Sequence, residues 1–245
     1  MILLFGTSPR CGTTSVNRAI NRSTNISLLI EPFNPDCNNC IRAADNGLIL
    51  EDDIGMVFNR LDTMMDEGIK HLSHQIPDQY LQKLFDMTDK LILTHRKDQF
   101  EVALSIWMSK NYEDKTGHSF WNEWVDSHGN GKQKQDFPDF YTLKRDPIPE
   151  WMFDHRYDLL KEKMQLYDNI ASHKKTYRLY YEDWYNDNVL DNFLELCDFL
   201  GCKLRNPYWK ELLLPEGKFN MGNIKYDLIP NAREMKSKVG DSLIW

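Results

Sequence analysis

MILLF at residues 1–5 runs directly into GTSPRCGTT at residues 6–14. The apolar run from Ile2 to Phe5 shows no polar alternation, the pattern of a strand buried on both faces of a parallel sheet. Gly6 and Gly12 give the following turn its tight backbone geometry. Thr13, Thr14 and Ser15 then open a helix that carries Val16, Ala19 and Ile20 on one face. Successive N–H groups at such a strand–loop–helix junction point at one spot and attract an anion.

A loop that holds a nucleoside triphosphate reads G-x-x-x-x-G-K-[ST], its Lys reaching the terminal phosphates. Here Thr13 follows Gly12, and the nearest cation is Arg10, inside the turn. The departure argues against ATP and for a different phosphorylated donor.

Four further β-like runs follow: 26–30 (ISLLI), 69–73 (IKHLS), 90–95 (KLILTH) and 176–181 (TYRLYY). Amphipathic helices separate the later ones. Asp98 and Glu101 are placed as N-cap and N3 of a capping box, ahead of a stripe of Phe100, Ala103, Leu104, Trp107 and Met108. Phe153, Tyr157, Leu160, Met164, Tyr167 and Ala171 mark a longer helix. A third runs from Val189 to Leu200, with Asn188 as cap and Gly201 as stop. The alternation predicts a three-layer α/β/α domain of the P-loop type, with a central, mainly parallel five-stranded sheet. Ligands of such sheets bind beyond the strand C-termini.

The 245 residues support one domain spanning 1–245, with an insertion at about 111–150. That stretch is polar, holds Gly-Asn-Gly at 129–131, and still carries Phe120, Trp121, Trp124, Phe137, Phe140 and Tyr141, with Trp151 just beyond. It reads either as a satellite cluster anchoring a long loop or as an aromatic platform for an acceptor. A net charge of −7 argues against nucleic acid as the main partner. No apolar run approaches the ~20 residues of a membrane span, and the short apolar start lacks the basic flank of a signal peptide. Five cysteines without framework spacing fit a reducing cytoplasm. Cys37 and Cys40 with His71 and His74 have four metal-ligand types, but their spacing matches no common zinc motif, and no metal is expected.

The fourth strand ends in LTHRKDQFEVALS, with Arg96 at its tip and Ser105 nine residues on. A guanidinium and a hydroxyl converging on one oxyanion make a charge-assisted site. With the first loop, this gives two phosphate anchors, as a nucleoside phosphorylated at both ends requires.

These motifs together resemble the sulfotransferases that use 3′-phosphoadenosine 5′-phosphosulfate (PAPS), and are most similar to the bacterial carbohydrate and glycolipid branch. SPRCGTTS at 8–15 matches the family's 5′-phosphosulfate loop, with Cys11 in place of the usual Ser. Arg96 and Ser105 match its 3′-phosphate motif. EPFN at 31–34 resembles the Glu-Pro element of the carbohydrate branch. YYEDWYND at 180–187 with LELCDFLG at 194–201 resembles the Tyr-Glu-Asp and Phe-Leu-Gly segment, and IPNAREM at 229–235 matches its C-terminal segment more weakly.

The resemblance implies in-line transfer of a sulfuryl group from PAPS to a hydroxyl of a carbohydrate or other small acceptor, without a metal. Arg10, Cys11, Gly12, Thr13, Thr14 and Ser15 would bind the donor's 5′ end, Arg96 and Ser105 its 3′-phosphate, and Arg10 would also stabilise the leaving group. Glu31 is the candidate general base, though a salt bridge or cap at a strand end would equally place a Glu there. His71, His74 and His95 are rival bases, since the family's small-molecule branch uses His. Strand alternation turns His95 away from Arg96 and favours a structural role. Lys70 either binds donor or acceptor or is a solvated lysine. Glu182 and Asp183 are expected to hold the fold near the loop. A P-loop kinase and a non-catalytic nucleotide-binding protein are the competing classes. The sequence assigns neither the acceptor nor the oligomeric state.

Overall fold

Five strands pair in the order β2-β3-β1-β4-β5, every pairing parallel. They are β1 (Ile2–Gly6), β2 (Leu28–Ile30), β3 (Gly68–Leu72), β4 (Lys90–His95) and β5 (Lys175–Tyr180). The computed structural model describes residues 1–34, 51–64, 66–117, 138–154, 156–185, 188–207, 210, 213 and 223–240. All five expected strands are present; the fourth coincides with its expected span and the other four differ from theirs by one or two residues at an end. The third ends at Leu72, so Ser73 and His74 belong to the turn that follows. The fifth ends at Tyr180 because Tyr181 already opens a short helix.

The chain divides into two compact units, Met1–His95 with Tyr167–Lys218, and Arg96–Leu166 with Phe219–Trp245. The first contains the whole sheet. Its central strands are buried on both faces: Leu3, Leu4 and Phe5 of β1 and Leu91, Ile92 and Leu93 of β4 are all within the core. On one face Leu4, Ile92 and Leu179 pack with Val16, Ala19 and Ile20 of α1 (Thr13–Ser23) and with Phe193, Leu196 and Leu200 of the helix Val189–Leu200. The next residue of β1 turns to the opposite face, where Phe5 meets Phe85 of the helix Asp78–Asp86 at 5.1 Å and Tyr167 at 5.0 Å. Helices therefore cover both faces, which is why the strands read as unbroken apolar runs. The edge strand β5 exposes Lys175 and Arg178, as an edge requires.

The second unit is built on the helix Gln99–Thr116, whose Phe100, Leu104 and Met108 pack with Ile148, Met152, Phe153, Leu228, Ile229, Ala232 and Met235. Asp98 is its N-cap and accepts from Glu101 N at 3.0 Å. The helix continues to Thr116, so residues 111–116 of the expected insertion are helical. Farther on, Arg145 lies buried, donating to the carbonyls of Met108, Phe140 and Leu143 between the rings of Tyr112 and Phe140. Asn111 pairs with both the backbone N–H and the carboxylate of Asp146. The Phe140 side of the stretch is thus a satellite cluster. Residues 118–137, with Phe120, Trp121, Trp124, Phe137 and the Gly-Asn-Gly, lie outside the described residues.

Phe153 belongs to a separate short helix, Trp151–Asp154, ahead of the helix Arg156–Ser172. Tyr167 and Ala171 of the expected stripe are buried, and Met164 is half-buried; the side chains of Tyr157 and Leu160 lie outside what is described.

Candidate functional site

The loop after β1 is anchored from below by the end of β4. Thr7 donates its backbone N–H to Thr94 O at 3.1 Å, and its Oγ1 shares a 3.0 Å hydrogen bond with His95 Nδ1. Cys11 is completely buried; its Sγ donates to Ser8 O at 2.9 Å and lies 3.1 Å from Thr94 Oγ1. Cys11 thus props the loop through its side chain. His95 does the same through Thr7, in line with its expected structural role.

Gly12 enters α1 with φ 85°, in the left-handed region that favours glycine, and contributes no capping side chain. The first turn holds no acidic residue. The helix Gln99–Thr116 is the opposite case, its N-terminus closed by Asp98 and followed by Glu101. The N–H groups of Thr13, Thr14 and Ser15 therefore face an end left uncapped by side chains, where an external anion is stabilised by donors and helix dipole together.

Tyr185 presses on this loop from the segment after β5. Its hydroxyl donates to Gly12 O at 3.1 Å and is hydrogen-bonded to Ser15, while its ring meets that of Tyr181 at 4.8 Å in a tilted contact. Sequence reasoning gave the task of holding the fold here to Glu182 and Asp183 and passed over Tyr185. A Cβ on Gly12 would lie 2.6 Å from Tyr185 Cε2 in a backbone conformation that L residues adopt at a cost. Gly12→Ala is expected to lower stability by about 1–3 kcal/mol in urea denaturation.

Arg10 (φ 70°) and Glu31 (φ 45°) are the described non-glycine residues with positive φ. Both were singled out from the sequence as catalytic. Strained backbone of this kind persists where the surroundings over-determine it, and clusters at functional sites. Glu31 sits one residue beyond β2, where its N–H bonds Lys70 O at 2.8 Å and its carbonyl accepts from Asn34 N at 2.9 Å.

The Glu31 side chain is buried and fully engaged. Oε1 is ion-paired with Lys70 Nζ, and Oε2 accepts from Asn34 Nδ2 and Gln75 Nε2, each at 2.6 Å. Lys70 lies within β3, in register with Leu4, and so projects to the α1 face of the sheet, where Nζ also donates to Thr14 Oγ1 at 3.1 Å. Glu31, Lys70 and Thr14 thus form one chain ending at the uncapped helix start. Burial opposes ionisation of Glu31, but the Lys70 charge and the three side-chain donors outweigh it and hold the carboxyl at about 2, against an ordinary 4.5. Lys70 is not solvated: it is 3% exposed. Gln75 and Asn34 were not legible as partners, because nothing in their spacing distinguishes them from ordinary turn residues.

His71 projects to the other face. It is fully buried between Phe5 (5.8 Å) and Phe33 (5.4 Å), and neither ring nitrogen has a hydrogen-bond partner. Burial drops its pKa to about 3, so it is neutral at ordinary pH. His74 is exposed in the turn. Cys37 and Cys40 lie outside the described residues, and among the described residues no group of His, Cys, Asp and Glu could hold a metal.

In the second unit, Arg96 Nη2 lies 3.7 Å from Glu101 Oε2. Glu101 also accepts from Lys225 Nζ and Tyr226 Oη, and Lys236 pairs with Asp98 at 2.6 Å. A cation-rich cluster therefore surrounds the first turn of this helix, and Ser105 lies half-buried farther along the same helix. Lys225 and Lys236 were not expected: only the weak 229–235 match pointed near them. Among the described residues, no helix is long and apolar enough to cross a membrane.

No protein-family model matches the chain, and no curated protein does. Among solved structures, a sulfotransferase from Alicyclobacillus acidocaldarius is similar at a TM-score of 0.48 and 16% identity, the match covering 98% of this chain and 91% of that one. A likeness that loose leaves the residue roles below to rest on this chain's own geometry.

Proposed function

We propose that the protein is a PAPS-dependent sulfotransferase acting on a hydroxyl of a carbohydrate or similar small acceptor. The observation that carries this reading is the uncapped start of α1, with Thr13 where a triphosphate-binding loop has Lys, joined through Thr14 to the Lys70–Glu31 pair. When bound, PAPS would supply the sulfuryl group and leave as adenosine 3′,5′-bisphosphate. The N–H groups from Cys11 to Ser15 and the guanidinium of Arg10 would hold the 5′-phosphosulfate and neutralise charge on the bridging oxygen. Arg96 and Ser105 would hold the 3′-phosphate.

Glu31 is the proposed base for the acceptor proton. A carboxyl held at about 2 is a weak base, so Lys70 must release it. Lys70 already reaches the loop at Thr14, and would exchange Glu31 for the anion held there. Burial would then push Glu31 back towards neutrality and give it proton affinity. The same saturation of Glu31 favours a second reading, a nucleotide-binding protein in which the pair is purely structural. Two results separate them: turnover lost in Glu31→Gln with donor binding retained supports the first, whereas a wild type that binds the donor without turning over any acceptor, with binding unaltered by Glu31→Gln, supports the second.

Arg96→Ala is expected to weaken adenosine 3′,5′-bisphosphate by about 10- to 100-fold, from a charged hydrogen bond worth about 1.5–3 kcal/mol. Adenosine 5′-phosphate should be unaffected. Equal weakening of both, by calorimetric titration, would remove the 3′-phosphate assignment.

The function itself is tested with sulfur-labelled PAPS and a panel of hydroxylated acceptors. Label should pass to an acceptor with the wild-type protein and not with Arg10→Ala. Phosphoryl transfer from Mg·ATP without sulfuryl transfer would instead establish the kinase.

A further inference from the structure

Cys197 and Cys202 play no part in the site above, and both are free. They bracket the C-terminus of the helix Val189–Leu200, which stops at Gly201 with φ 69°. Two hydrogen bonds define the stop: Gly201 N to Asp198 O at 3.1 Å and Cys202 N to Cys197 O at 3.1 Å. This is a Schellman motif, a helix ending in which the residue after the left-handed glycine folds back against the last turn. The two positions whose side chains it brings together are usually an apolar pair, and here both are cysteine. Standard bond lengths with a 3.1 Å N···O contact keep the two Cα atoms within about 7 Å, the outer reach of a disulfide. The thiols are hydrogen-bonded to each other.

The two sulfurs differ in character. Cys197 is 4% exposed, whereas Cys202 is only partly buried. The hydrogen bond from Cys197 lowers the pKa of Cys202, helped by Thr24 and by the charge of Lys90, while burial works against it. The same contact and burial push Cys197 up. Lys90 is held over the helix end by a 2.5 Å bond to Leu200 O. The accessible sulfur is thus the better nucleophile, and a shielded thiol stands next to it.

We propose that Cys197 and Cys202 form a redox-active pair, with Cys202 as the attacking thiol and Cys197 as the resolving one, oxidised by low-molecular-weight disulfides. The Cys202 thiolate attacks one sulfur of a disulfide such as oxidised glutathione, forming a mixed disulfide and expelling one thiolate. Cys197 then attacks Cys202 Sγ; its proton leaves with the second expelled thiol. Two protein thiols are oxidised to one cystine, and one small disulfide is reduced to two thiols. Lys90 begins β4, and the loop lies beyond the opposite end of the strands, so the pair sits at the far end of the sheet from the anion site.

The test uses the full chain carrying Cys37→Ser and Cys40→Ser, treated with oxidised glutathione and mapped by mass spectrometry without reduction. Two thiols should be lost, with a cross-link between Cys197 and Cys202 and no retained glutathione. Cys197→Ser should instead keep a stable glutathione adduct at Cys202, and Cys202→Ser should leave Cys197 unmodified. Binding of adenosine 3′,5′-bisphosphate by Cys202→Ser, measured alongside, reports on the proposed donor site independently. A wild-type pair that stays reduced, or a mixed disulfide at Cys202 that never resolves although Cys197 is present, would overturn the proposal.

Discussion

Lys70→Met is expected to cost about 3–5 kcal/mol of stability at neutral pH, because it strands the Glu31 carboxylate in the core without its cation. At about 2–4 °C per kcal/mol for a chain of this size, the melting temperature should fall by roughly 6–20 °C. The pH dependence carries a sharper signature. In the wild type the folded pKa of Glu31, about 2, lies below the ordinary 4.5. The unfolded chain therefore binds more protons between those values. The stability that Glu31 contributes, of the order of 3 kcal/mol, is present above about pH 4.5 and lost as pH falls towards 2.

Without Lys70, burial prevails and the folded pKa rises above the unfolded one. The sign then reverses: the Lys70→Met variant should lose stability as pH rises through that raised value. Urea denaturation at about pH 5 and about pH 8 reads the difference, with the variant less stable at the higher pH. The double variant Glu31→Gln/Lys70→Met should recover most of the loss, since the stranded charge is gone. A variant whose pH slope matches that of the wild type would show that the pair does not govern Glu31.

Arg10→Ala is expected to lower kcat by about 10²–10³-fold, the usual loss when one donor to a developing negative charge is removed. Binding of adenosine 3′,5′-bisphosphate should weaken far less, because the N–H groups at the start of α1 remain. Arg10 sits at φ 70°, so Ala inherits its backbone strain. Arg10→Gly relieves it and should be the more stable variant by about 1 kcal/mol, with the same low kcat. Label transfer from PAPS under single-turnover conditions separates the two effects. Unchanged kcat in both variants would remove Arg10 from the chemistry.

The strands were legible because burial on both faces leaves unbroken apolar runs between polar boundaries; β1 and β4 are the clearest. The helix Val189–Leu200 was equally readable: Gly201 ends it in the left-handed conformation, and Asn188 stands at its N-cap position, although its side chain makes no capping hydrogen bond there. The helices Glu51–Leu61 and Asp78–Asp86 went unassigned, and Phe153 was joined to a helix that begins after it. Within the site, the loop was visible because an anion cradle requires glycines at fixed offsets. The Glu31–Lys70 contact was not, because strand pairing joins residues 39 apart without leaving a sequence pattern. Nor was Tyr185, 173 residues from the glycine whose carbonyl it binds. Lys225 and Tyr226 at Glu101 belong to the same class of contact, set by packing alone.

A thermal-shift titration tests the donor assignment most directly. Adenosine 3′,5′-bisphosphate at about 100 times its dissociation constant should stabilise the protein by about 2.7 kcal/mol, raising the melting temperature by roughly 5–10 °C. Mg·ATP at the same concentration should leave it unchanged. A rise with Mg·ATP and none with the bisphosphate would contradict the account.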